Sequence, residues 1–326
     1  MKMAQKAFWY QTSFVYSKKR NFEFMVTRRF ISSKEFLRKL TQGKYKEIIE
    51  YASQRENELD VQIRDNYLNI YYRGGNLLRV HPRHLYFDEF YFHRGAKDRR
   101  KTHLLKSDKT EDKKLVTSYQ GKRDEMLSIL QNEGMAAYCV QMKGIMDKWE
   151  EDLHTIGISH DEKNEQQLIS MNNRGNTDYT VIDLEYAVST SSNFHYEGNL
   201  TKTVPRFDII AVDKTGQLVV IELKTGLGAI QNSSGILAHK YCFDHSIGRD
   251  QKGEFMQEMI DLLDQKKSFH LIDENVQIDK DKKPQFLFAF SEKVPGENLY
   301  EEFVKACRAI NYTDKIIYLD NEHKLK

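Results

Sequence analysis

The sequence predicts an α/β protein in which a basic α+β segment precedes a larger, acidic α/β segment. Three observations carry this. Strand-length runs of β-branched and aromatic residues alternate with apolar residues at helical spacing along most of the chain. From about residue 159 the elements read helix, strand, strand, strand, helix, strand. Charge is also partitioned: residues 1–124 hold 28 Lys and Arg against 15 Asp and Glu, whereas residues 125–326 hold 22 against 33. The expected organisation is therefore a basic, aromatic-rich α+β domain over residues 1–124, a bridging helix over 125–158 and a second domain over 159–326. Such a partition suits a module that grips a polyanion beside one that collects carboxylates, and it also lets the two halves attract one another.

In chain order, Phe22, Phe24 and Met25 favour a strand or an ordered arm among the basic and aromatic residues that open the chain. Ser33 then reads as an N-cap for a short helix bearing Phe36, Leu37 and Leu40, ended near Gly43. A second helix carries Ile48, Ile49 and Tyr51. Residues 59–93 read as β-structure, with Arg73, Gly74, Gly75 and Asn76 as a turn and a last aromatic strand over 85–92. Interleaved Tyr, Phe and Arg on such a sheet can stack bases and pair phosphates, or pack a core. Residues 95–123 are polar and Lys/Arg-rich, a linker or long loop. Met126, Ile129, Leu130, Val140, Met146 and Trp149 fit helix, broken near Gly134. Ser159, His160, Asp161 and Glu162 resemble a capping box that starts a helix through Glu165, Gln166, Leu168, Ile169 and Met171, and a strand over 179–188 follows, with Asp183 and Glu185 on one face and Ile182, Leu184 and Tyr186 on the other.

Length and composition bound the function. At 326 residues, 40% hydrophobic and 30% charged, the chain describes a soluble globular protein with room for two domains. No run of about 18 apolar residues appears, so no membrane partner is expected, and the first residues lack the pattern of a secretory signal. Cys139, Cys242 and Cys307 are too scattered for a zinc site or a disulfide framework, which suits the cytoplasm.

Residues 205–226 carry the chemistry. Two apolar strands flank an Asp-Lys-Thr-Gly turn, and Asp208, Glu222 and Lys224 interrupt them where a buried strand would not want charge. Side chains alternate along a strand, so Glu222 and Lys224 share one face, their Cα atoms about 7 Å apart. The return of the hairpin brings Asp208 alongside. A phosphodiester resists attack because it is anionic and its leaving alkoxide is poor. Mg²⁺ or Mn²⁺ relieves both difficulties and takes oxygen ligands, here Asp208, Glu222 and the backbone carbonyl of Leu223. Lys224 can orient or help deprotonate water and stabilise charge at phosphorus. An exposed salt bridge on an edge strand would explain Glu222 and Lys224 less well, because the strand is apolar and lies between apolar strands.

Asp208 in Arg206-Phe207-Asp208, with Glu222-Leu223-Lys224 on the next strand, resembles the PD-(D/E)XK or restriction-endonuclease-like nuclease superfamily. The resemblance spans residues 159–291, departs in having no proline directly before Asp208, and points to no particular family within the superfamily. It implies an αβββαβ core with a mixed central sheet flanked by helices. It also implies a further acidic residue from the first helix, which here is Glu165, or Gln166 or Glu162 if the helix phase differs. Glu185 on the neighbouring strand is the other choice, and His239 and Tyr241 lie on the helix that would approach phosphate. The expected function is a Mg²⁺- or Mn²⁺-dependent DNA endonuclease of restriction, phage defence, mobile-element or repair type. The rivals are an RNA nuclease with the same site and a nucleic-acid-binding protein that no longer cuts. A double-strand cutter of this kind needs a homodimer or two successive nicks.

Overall fold

Ser33 does what its position predicts. Its side chain accepts the amide of Phe36 at 3.2 Å and starts helix α1 (Lys34–Thr41), which buries Phe36 and Leu40. A cap of this kind stabilises a helix by about 1 kcal/mol. The computed structural model describes residues 24–25, 29–92, 122–154, 161–175, 177–190, 194–196, 199–201, 206–225, 235–290, 299–309, 311–312 and 316–326. The expected arm before residue 24, most of the basic linker and the loop after Gly226 lie outside them. Strand β1 (Phe24–Met25) precedes α1, and α2 (Lys46–Ser53) follows it, burying Ile48, Ile49 and Ala52.

Strands β2 (Asp60–Arg64), β3 (Tyr67–Tyr72), β4 (Gly75–Val80) and β5 (Leu85–Tyr86) form an antiparallel sheet in that order. The aromatic strand expected over 85–92 is only its first two residues. Beyond them the chain takes a 3₁₀ turn at Glu89–Phe92, and Phe87 and Tyr91 pack on Tyr138 and Trp149. Those partners lie on α4 (Gly134–His154), which follows α3 (122–132). The break falls at Gly134, whose φ is +89° and whose missing Cβ leaves room for the Glu47 carboxylate, which accepts the Met135 amide.

Helix α5 (Asp161–Asn172) leads into the larger sheet. Strand β6 (Tyr179–Ala187) comes first, and β7 (Ser189–Thr190) pairs with β1. Strands β8 (Phe194–Tyr196) and β9 (Asn199–Thr201) form a small hairpin. Then come β10 (Arg206–Asp213), β11 (Leu218–Lys224), α6 (Ile236–Asp244), α7 (Glu254–Ser268), β12 (Gln285–Phe290), α8 (Leu299–Ala309) and β13 (Ile316–Tyr318). The sheet order is β13-β12-β11-β10-β6, antiparallel from β6 to β11 and parallel from β11 to β13. The chain is thus mixed α/β. The β10–β11 turn is closed by Asp213, whose carboxylate accepts the amides of Thr215 and Gln217 at 2.8 and 2.9 Å, with Gly216 at φ +84°.

Helices cover both faces of this sheet. Ile169 of α5 and Leu325 pack with Val219, Ile221 and Leu223 on one side. On the other, Phe243, Phe255, Met259 and Phe303 of α6, α7 and α8 join Val220, Phe286 and Phe288, in a cluster continuous with Val61, Ile63, Leu68 and Ile70 of the smaller sheet.

Polar residues cross this contact as well. Asp183 is fully buried and pairs with Arg64 at 2.8 Å and Arg29 at 3.5 Å. Asp60 binds Ser170 and Gln62 and lies 3.7 Å from Arg174, while Lys266 donates to Gln62 at 3.2 Å. Asp183 and Glu185, expected on one strand face, have separate environments: Arg29 and Arg64 enclose Asp183, whereas Glu185 takes φ +54° and pairs with the exposed Arg206.

Glu258 of α7 joins the same region. Burial pushes its carboxyl up to about 8, and Asp183 adds to the rise, against donors from the Tyr186 hydroxyl at 2.7 Å and the Arg29 amide. A carboxyl raised in the folded state contributes stability that is complete below its usual 4.5 and is lost as pH climbs to about 8. Glu258→Gln should therefore gain Tm relative to the native chain across that interval, as read by thermal denaturation. Parallel Tm–pH curves would refute the assignment.

Candidate active site

Strand β11 is buried along its whole length, so its two charged residues enter the core together. Lys224 Nζ lies 3.1 Å from Glu222 Oε1, and His239 Nδ1 reaches the same oxygen from α6 at 2.9 Å. The other oxygen, Glu222 Oε2, is buried without a hydrogen-bond partner among the described residues. The β10–β11 register pairs Ile209 with Ile221, and its next step sets Asp208 opposite Glu222. Asp208 Oδ2 accepts the Leu223 amide at 2.8 Å, and Oδ1 accepts the side-chain amide of Gln166 at 3.2 Å.

The two carboxyls respond to burial in opposite ways. Burial raises Glu222, but Lys224 and the hydrogen-bonded His239 outweigh it and bring the group below its ordinary value. At Asp208 burial dominates and the Glu222 charge adds to it. Lys224 and the Leu223 amide offset only part, so this carboxyl stands well above the usual carboxylate range. Of the two neighbouring carboxyls, Asp208 therefore takes up a proton more readily than Glu222.

The donor set fits a hard cation. Asp208, Glu222 and the Leu223 carbonyl are all oxygen donors, and Glu222 Oε2 is a buried acceptor left open. No group of three or more His, Cys, Asp or Glu side chains arranged for a metal occurs among the described residues. One or two carboxylates completed by water and phosphate is the arrangement Mg²⁺ takes, in contrast to an all-protein cage.

The remaining residues fall as follows. Glu165 is buried and pairs with His323 Nδ1 at 2.7 Å, while the next residue, Gln166, holds Asp208. Glu162, one turn before Gln166, stands at the exposed start of α5. Desolvation in the cleft pushes its carboxyl up, and Glu185 and then Glu222 add to the rise. Glu185 lies between the ladder pairs Phe207–Tyr186 and Ile209–Leu184, hence opposite Asp208, and pairs with Arg206 at 3.6 Å. Tyr241 stacks on His245, with ring centroids 3.9 Å apart, so of the two α6 residues it is His239 that touches a site carboxylate. The bond from His239 to Glu222 and that from Gln166 to Asp208 are the features sequence reasoning left unassigned. Their only advance signal is position: a polar residue one turn after Glu162, and a histidine near the start of the helix that follows β11.

The chain matches no protein-family model, no curated protein and no solved structure. No helix among the described residues is long and apolar enough to cross a membrane.

Because burial and the Glu222 charge raise the Asp208 carboxyl, a cation binding there competes with a proton. Mn²⁺ affinity, followed by isothermal titration, should rise with pH and release protons, and Asp208→Asn should remove both effects. An affinity for Mn²⁺ independent of pH would contradict this arrangement.

Proposed function

We propose that the protein is a metal-dependent nuclease that hydrolyses phosphodiester bonds, with DNA as its substrate. The observation that carries this reading is the buried constellation of Asp208, Glu222 and Lys224 on two adjacent antiparallel strands, with Glu222 Oε2 left without a partner. The order α5, β6, β10, β11, then helices and a parallel β12, supports a restriction-endonuclease-like core. The basic balance of residues 1–124 supports a polyanionic substrate.

Asp208, Glu222 and the Leu223 carbonyl would hold Mg²⁺ or Mn²⁺, which when bound supplies charge neutralisation at the phosphate. Lys224, whose Nζ lies 3.1 Å from Glu222 Oε1, would orient the attacking water and stabilise negative charge developing on the phosphoryl oxygens. His239 restrains Glu222 by sharing its Oε1 with Lys224. Gln166 and the Leu223 amide fix both oxygens of Asp208. Glu162 or Glu185, at the edge of the same site, is suited to accept the proton of the water. One such constellation lies among the described residues, so on this reading cutting both strands takes a second copy of the chain or two successive nicks. A cytoplasmic location belongs to this reading and agrees with three free cysteines.

Cleavage of labelled DNA and RNA in Mg²⁺, with EDTA as the control, tests the proposal. The native chain should cut DNA, and Lys224→Ala should lose about 10²–10³ in rate with little change in DNA affinity. Glu222→Gln should abolish Mg²⁺-dependent cutting. Cutting of RNA alone would transfer the site to the rival substrate. Binding without cutting, or equal cutting by native chain and variants, would reject the nuclease assignment.

A further inference from the structure

Beside Asp208 lies a cavity of about 710 Å³ whose walls come from both sheets. Tyr67 and Tyr71 of β3 form one wall, Lys163 and Gln166 of α5 another, and Glu185 and Arg206 close the side nearest the carboxylates. Gln166 is the donor to Asp208, and Glu185 sits opposite Asp208 in the ladder, so whatever fills the cavity adjoins the site. Its volume is that of an ordinary small-molecule pocket, roughly 300–1,000 Å³.

The lining chemistry is selective. Arg206 is exposed over 68% of its side chain and pairs with Glu185 at 3.6 Å, while Lys163 is exposed and has no ion pair among the described residues. Lys163 and the exposed end of Arg206 thus offer positive charge for phosphate, against Asp60, Asp65 and Glu185 in the same lining, and Tyr71 beside Tyr67 offers an aromatic wall for a planar base. The aromatic surface also continues out of the cavity. Tyr67 stacks on His81 at 4.9 Å and 11°, and His81 stacks on His84 at 4.8 Å and 13°. Arg79 lies over both Tyr67 and Tyr86, and Arg123 over Tyr86. Aromatic faces interleaved with cations are the equipment that binds single-stranded nucleic acid. A base-paired duplex keeps its base faces stacked and cannot offer them to such a pocket.

We propose that the cavity takes one unpaired nucleotide, and that the strand leading to the site passes over the Tyr67–His81–His84 column as single-stranded nucleic acid. The inference deepens the nuclease reading of Asp208 and Glu222 and rests on it. Deoxyribonucleotides and ribonucleotides share the chemistry used, so both are tested.

The experiment measures binding in EDTA, where no cutting occurs, to oligodeoxynucleotides and oligoribonucleotides of about 12 residues carrying one 2-aminopurine, and to the same sequences in blunt duplexes. Single strands should bind about tenfold more tightly than duplexes, with 2-aminopurine quenched on binding. Tyr67→Leu should remove the quenching and weaken single-strand binding about tenfold, in the range for one lost stacking contact. Lys163→Glu, on an exposed helix position with little influence on folding, should weaken it as well and flatten its salt dependence. The stronger of the DNA and RNA arms identifies the sugar. Duplex binding as tight as single-strand binding, or native affinity in both variants, would overturn the proposal while leaving the metal site standing. Intact single-strand preference in a chain that cuts nothing would instead reject the nuclease reading and keep the cavity.

Discussion

The pairing of Lys224 with Glu222 is the interaction on which the centre of this molecule depends. Lys224 is among the largest fully buried side chains, on a strand with no exposed residue. A lone charge in such surroundings costs several kcal/mol, and removing one member of a buried pair destabilises by about 3–5 kcal/mol. The two-residue step of a strand places the partner on the same face, so a single short motif supplies both the burden and its compensation. His239 then ties α6 to the pair, and α6 in turn buries Phe243 against Phe286. The charged residues are therefore held by packing as well as by one another, which fixes the geometry of the site.

Asp208 completes the set by a different route. Its oxygens are both occupied by neutral donors, one from the backbone of β11 and one from Gln166. Neutral donors orient a carboxyl without neutralising it, so the charge this group can carry is left for a ligand. Helix α5 is fixed in phase by Ile169 in the core and by the Glu165–His323 pair, which brings the last residues of the chain into the placement of Gln166. Residues more than a hundred positions apart thus determine where one carboxylate points.

Much of this was legible in the sequence because local rules decided it. Asp213, Thr215 and Gly216 specify the β10–β11 turn through side-chain and backbone bonds of their own, and the apolar runs on either side fix the register that brings Asp208 to Glu222. Ser33 and Gly134 likewise act through their own backbone geometry. What was not legible depended on tertiary contacts. A helix turns about 100° per residue, so one step separates Glu165, drawn to His323, from Gln166 at the site. Residues 87–92 have strand-like composition, but Tyr138 and Trp149 draw their aromatics back. Asp183 reads as a polar strand residue, yet Arg29 and Arg64 enclose it, and no pattern within 179–187 announces partners from so far upstream.

That enclosure bears on how the chain can be divided. Arg29 and Arg64 come from the basic stretch and Asp183 from the acidic one, so part of the opposed charge of the two halves is spent on holding them together. Strands β10 and β11 are thus not a detachable cassette. Transplanting residues 159–326 into a fusion would leave Asp183 without its guanidinium partners and uncover the apolar cluster shared with the smaller sheet, so a working graft would have to bring β2, β3 and the segment around Arg29 with it.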